Sequence, residues 1–135
     1  MPNLTLPLGG NFTLGAIGQI AVTAHDLRRA IAFYRDILRL PFLFESGQLA
    51  FFDAGGVQLM LDVPEQPEFD HPSSIIYFRV ADIRAGYQAL VERGVRFAEG
   101  PKCIARLEAR EVWMAFFRDS EGNVLALMSE QSPEA

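Results

Sequence analysis

Few side chains in this chain have reactive or coordinating chemistry, and their surroundings narrow what each can do. There are two histidines, His25 and His71, and one cysteine, Cys103. His25 stands beside Asp26 at what reads as a helix start, and His71 lies in the proline-rich run PEQPEFDHP. Neither falls on a strand facing an interior, so a capping or solvated role fits both. Cys103 has Lys102 beside it, which favours a thiolate, yet no histidine base is near in sequence. Glu45 closes the run FLFES, while Glu108 and Glu111 flank Arg106 and Arg110. A buried carboxylate at a cavity rim could act as a general base, but with such cations at hand surface ion pairing is the favoured role. Gln19 is the odd residue. It sits in GQIAVTAH, where a strand packed on an apolar core would carry an aliphatic side chain.

The surrounding pattern says which element holds it. Ile20 and Val22 alternate with Gln19, Ala21 and Thr23, a period of two that predicts a strand with two different faces. Asp26 then has the position of an N-cap, and Leu27, Ile31, Tyr34 and Leu38 recur at helical spacing until Pro41. FLFES, QLAFFDA and VQLMLDV follow, joined by the turn signals Ser46-Gly47 and Gly55-Gly56. Strands are therefore expected at 17–24, 42–46, 48–53 and 56–62, with a helix at 27–39. The stretch 64–73 reads as a linker. Beyond it SIIYFRVADIRAGYQALVERG repeats the strand, aspartate and helix: Ile20 and Ile76, Asp26 and Asp82, Leu27 and Ile83, Arg28 and Arg84 all fall at one spacing. AFF returns at 115–117, and GVQLML matches GNVLAL, with GPKCIARLEARE expected as an insertion. The second set of strands is expected at 74–80, 96–99, 110–118 and 123–129, with a helix at 82–93. The chain is thus read as a single domain, 1–135, built from a module at 16–63 and a second at 74–130.

Composition excludes several functions. A chain that is 50% hydrophobic and 21% charged is an ordinary globular one with enough apolar surface for a core. A net charge of −5 with no Lys/Arg cluster provides no field for a phosphate backbone, so nucleic acid is not an expected partner. No signal-peptide pattern and no run of membrane-spanning length is present, so no membrane partner is expected either. A cytoplasmic location is expected, and a single cysteine suits a reducing compartment.

The paired modules, with FYRD and the spaced leucines in the first and FFRDSEGNVLALM in the last, resemble the vicinal oxygen chelate superfamily over residues 16–130. That group includes glyoxalase I, extradiol dioxygenases, fosfomycin and bleomycin resistance proteins and methylmalonyl-CoA epimerase. The resemblance implies an α+β fold in which two βαβββ modules form a cupped, eight-stranded mixed sheet with helices on the convex side and a ligand on the concave side. It also implies four repeat-related positions where a divalent metal would be held: Gln19 and Ile75, Met60 and Ala126, with Gln58 replacing Met60 if the fourth strand is shifted by one step. Leu59 and Leu61 would then face the helices. One amide, one thioether and two hydrocarbons do not make a metal site, so no metal and no cofactor are expected. The expected function is metal-free binding of a hydrophobic or planar small molecule by Gln19, Gln58, Met60, Tyr77, Arg79, Trp113 and Met128. The alternative is a glyoxalase-type lyase, isomerase or dioxygenase with an unconventional metal site or metal-free acid/base catalysis. Open sheet edges and a wide apolar mouth lead to the expectation of a homodimer.

Overall fold

Two aspartates start the two helices in the same way. The Asp26 carboxylate accepts the backbone N–H of Arg29, and Asp82 accepts those of Arg84 and Ala85, so orphan donors of each first turn are satisfied. The computed structural model describes residues 11–132. Along it run β1 (Gln19–Thr23), α1 (Leu27–Ala32), a π-helical turn (Phe33–Ile37), β2 (Phe42–Ser46), β3 (Leu49–Ala54) and β4 (Val57–Asp62). After a 3-10 turn (Pro67–Phe69) come β5 (Ile76–Arg79), α2 (Ile83–Glu92), β6 (Lys102–Arg106), β7 (Glu111–Arg118) and β8 (Val124–Gln131). The eight strands make two four-stranded mixed sheets, ordered β1-β4-β3-β2 and β5-β8-β7-β6. In each, the first strand of the module runs parallel to the last and the remaining pairs are antiparallel. The architecture is the expected α+β arrangement of two βαβββ modules. No helix among the described residues is long and apolar enough to cross a membrane.

One strand falls elsewhere than expected. The segment at 96–99 contributes only an isolated bridge between Phe97 and Phe117. The strand that pairs with β7 is Lys102–Arg106, inside the stretch read as an insertion. Cys103 and Ala105 there are half-buried while Lys102, Ile104 and Arg106 are exposed, an alternation that suits an edge strand. Both outer strands carry a register shift, at Phe42/Phe44 in β2 and at Cys103/Ala105 in β6. Such bulges twist an edge away from further pairing.

The expected first helix also changes character halfway. From Phe33 it widens: the N–H of Leu38 bonds to the carbonyl of Phe33, five residues back, and Leu40 bonds to Tyr34. The guanidinium of Arg93, at the end of α2, donates to the carbonyl of Ile37 at 2.7 Å and satisfies one freed acceptor. Arg39 ends the helix in the left-handed region, φ 62°, where an L side chain costs about 1–2 kcal/mol. Part of that cost is recovered by glycine, offset by the greater freedom glycine gives the unfolded chain. Arg39→Gly is therefore expected to raise stability by about 0.5 kcal/mol, seen as a higher urea midpoint with unchanged slope; a lower midpoint would contradict it.

A single apolar cluster joins both modules. Val22, Leu59 and Leu61 from the first sheet and Ala115, Phe117, Leu125 and Leu127 from the second meet Ile31, Tyr34, Ile83 and Leu90 from the helical segments. Polar ties reinforce it at the β7–β8 turn. The Asp119 carboxylate accepts the Tyr34 hydroxyl at 2.6 Å, the backbone N–H groups of Glu121 and Asn123 at 2.8 Å each, and the Asn123 amide at 2.9 Å. Asn123 also donates to the carbonyl of Thr23 in β1. Burial and the Asp119 charge push the Tyr34 phenol far above its ordinary range, so it remains a donor. Beside it, the Glu121 side chain is 1% exposed and accepts the N–H groups of His25 and Asp26, the Arg29 guanidinium and the Ser120 hydroxyl.

Candidate ligand-binding faces

Each sheet has one face covered by helices and one free of them, and alternation decides which side chain meets which. Leu59 and Leu61 are fully buried in the helix-side core, so Gln58 and Met60 lie on the free face. In the parallel pairing of β1 with β4, Gln19 stands opposite Gln58 and Ala21 opposite Met60. The Gln58 amide N–H donates to Gln19 Oε1 at 2.7 Å, and the Gln19 amide N–H reaches Met60 Sδ at 3.6 Å. Gln58 and Met60, two residues apart on one strand, both touch Gln19. Phe51 of β3 is paired with Met60, and its ring stacks on Phe44 of β2 at 4.4 Å with the planes 21° apart. An amide pair thus stands beside an aromatic stack on one open face. The Gln19 amide is bonded laterally and borders an apolar platform.

The second sheet repeats the plan with different chemistry. Tyr77 is paired with Ala126 and Arg79 with Met128, while Met114 and Phe116 of β7 are paired with Met128 and Ala126. Tyr77 and Phe116 meet edge to face at 5.8 Å. Tyr77, Arg79 and Met128 are therefore together on the free face of this sheet, as Gln19, Gln58 and Met60 are on the other. Between the sheets, a cavity of about 490 Å³ lies against Ile17, Ile20, Val57, Tyr77 and Arg79.

Trp113 does not belong to this set, which corrects its expected placement. On β7 it shares the parity of Ala115 and Phe117, both of the core, and it packs against that core. Its indole N–H donates to Glu111 at 3.0 Å, and the Arg84 guanidinium of α2 lies 5.2 Å from its ring centre. Met114 and Phe116 occupy the free face instead. The signal was available in the repeated AFF: Phe51 and Phe116 are its middle residues, and both face away from the helices.

The remaining chemical candidates are engaged elsewhere. Glu45 is paired in register with the core residue Ala50 and forms an ion pair with Arg28 of α1 on the helix side. That pairing holds its carboxyl below the usual range. His25 bonds to Asp70 at 2.8 Å, His71 to the carbonyl of Pro72. The Cys103 thiol points to the carbonyl of Ala105. At the four repeat-related positions the donor set is one amide, one thioether and the hydrocarbons Ile75 and Ala126. Among the described residues no group of three or more His, Cys, Asp or Glu could hold a metal ion. These residues do not fit a divalent ion, which needs three or four converging hard or borderline donors.

Comparison with known proteins places this geometry among others. A family model described as Glyoxalase/Bleomycin resistance protein/Dioxygenase superfamily matches residues 16–127. The metallothiol transferase FosB of Staphylococcus saprophyticus is 26% identical over 117 residues, covering 83% of this chain and 75% of that protein. Among solved structures, a member of the same superfamily from Sphaerobacter thermophilus aligns with a TM-score of 0.73 at 21% identity, over 86% of this chain and 98% of its own. TnmS3, an antibiotic binding protein from Streptomyces sp. CB03234, aligns at 0.72 and 24% identity, over 88% and 98%.

Proposed function

Because the chain belongs to the glyoxalase/bleomycin resistance protein/dioxygenase superfamily, whose fold serves both catalysts and binders, we propose that it is a metal-free binding protein for a hydrophobic or planar small molecule, held on the helix-free faces. The observation that carries this is the Gln19–Gln58 amide pair, bonded to itself and to Met60 beside the Phe44–Phe51 stack. Gln58 keeps its carbonyl oxygen and one N–H to orient a guest, while the rings and thioether supply contact area. The likeness in fold to an antibiotic binding protein supports the same reading. The working form is a homodimer. Phe44, Ile75, Tyr77 and Phe116 are all more than a third exposed in one chain, and a two-fold contact would cover them. It acts in the cytoplasm, where its one cysteine stays reduced.

Metal content, ligand binding and oligomeric state each test this reading. Elemental analysis of the purified protein is expected to find no stoichiometric metal, and chelators are expected to leave Tm unchanged. One bound ion per chain at Gln19 and Gln58 would instead support a metal-dependent transferase or lyase, the reading favoured by the metallothiol transferase relative. In a fluorescence screen of polycyclic aromatic antibiotics, Gln19→Ala is expected to weaken the binding of a hit by about 1 kcal/mol, the worth of one neutral hydrogen bond. Light scattering that reports a monomer at micromolar concentration would contradict the dimer.

A further inference from the structure

A second site lies where the π-helical turn meets the last hairpin. A cavity of about 600 Å³ opens there between Phe33 and Ile37 of the turn, the segment 94–98, and the β7–β8 hairpin. The volume is that of a small-molecule site. Phe33, Ile37, Val95 and Phe117 give its wall apolar surface, and Arg96 and Arg118 are among the residues that line it.

The charges on this wall do not cancel. Asp119 also lines the cavity; four neutral donors hold its carboxylate and leave its charge in place, so Arg96 and Arg118 stand against one anion and the wall is net positive. Neither Arg96 nor Arg118 forms an ion pair among the described residues. Arg118 donates from Nη1 to the carbonyl of Gly122 at 2.7 Å, which holds its plane and leaves the rest of the fork free. Two cations against one carboxylate, in a chain of net charge −5, are a local feature of this wall rather than a reflection of overall charge. The helix widens where it meets the cavity, and π-turns of this kind gather at functional sites. We propose that this cavity binds an organic anion: an apolar body of about the size of a fused ring pair or a medium acyl chain, carrying one carboxylate or sulfonate that Arg96 and Arg118 clamp. The site is separate from the Gln19–Gln58 amide pair and does not depend on the function proposed for it.

The test is calorimetric titration of the full chain with 2-naphthoate, using the neutral 2-naphthamide as comparator. Naphthoate is expected to bind once per chain, at least tenfold more tightly than naphthamide, and less tightly as salt is raised. Arg96→Gln and Arg118→Gln are each expected to weaken it by about tenfold, whereas Gln19→Ala leaves it unchanged. Ala98→Trp, at an exposed position on the cavity wall, should abolish binding by filling the cavity. Both arginines are exposed, so their replacements keep the test open even if the tryptophan variant fails to fold. No binding, equal binding of the amide, or naphthoate binding that both arginine variants leave intact would overturn the proposal.

Discussion

Asp119→Ala is expected to lower the unfolding free energy by about 4 kcal/mol, close to the largest loss a single polar substitution causes. The carboxylate accepts four hydrogen bonds of 2.6–2.9 Å, and its residue is 7% exposed. Removing it leaves the Tyr34 hydroxyl, with Tyr34 fully buried, without an acceptor. Two backbone N–H groups and one amide N–H in the β7–β8 turn lose theirs as well. A buried donor without a partner costs about 1–3 kcal/mol, reduced where water can enter at the turn. Tyr34→Phe removes one of the four bonds and is expected to cost only about 1–2 kcal/mol. Urea denaturation of both variants separates the cases. A loss under about 1 kcal/mol for Asp119→Ala would show that the turn holds its shape without the carboxylate.

The second large effect is an acid transition attached to Glu121. Burial opposes its ionised form, but the Arg29 guanidinium, the N–H groups of Asp26 and His25 and the Ser120 hydroxyl outweigh that and pull its pKa from 4.5 down to about 2. A folded-state pKa below the unfolded one contributes stability that is fully present above pH 4.5 and lost as pH falls from there toward 2. Arg29 is itself half-exposed, which screens the pair, so the contribution is on the order of 2 kcal/mol. Glu121→Gln should be less stable than the natural protein at pH 7 by that amount, and the two should converge as pH approaches 2. Stability curves that run parallel from pH 7 to pH 3 would rule this out.

Much of the fold is legible in the sequence because it rests on short-range periodicity. The N-caps Asp26 and Asp82, the alternation that buries Val22, Leu59 and Leu61, and the turns at Gly47 and Gly55, both at positive φ, each depend on a few neighbouring residues. Where the outcome rests on a distant partner, local pattern is insufficient. RFAE and KCIAR can both alternate, and only pairing with β7 selects the second. The π-turn has no period of its own to distinguish it from α-helix in sequence. At the candidate site, Gln19, Gln58 and Met60 are legible from strand parity. Trp113 suits a ligand face by residue type, but it shares the parity of Ala115 and Phe117, and the face it occupies follows the parity. The motif residues that carry the family resemblance, Tyr34 and Asp119, bond to each other and join the modules; the free faces carry different residues.

That bond spans 85 positions of chain, which bears on how the protein can be made. As translation proceeds, Tyr34 leaves the ribosome long before Asp119, and closing so long a loop is entropically costly until many contacts reward it together. The first module therefore emerges with its buried phenol unpartnered and its core open on the side that Phe117, Leu125 and Leu127 later cover. It should wait as a loosely ordered nascent segment rather than dock early. On stalled ribosomes, a force-sensing arrest peptide should report folding only once residues through Asn123 have cleared the exit tunnel. Release at the end of the first module would show that half the chain can fold without its partner.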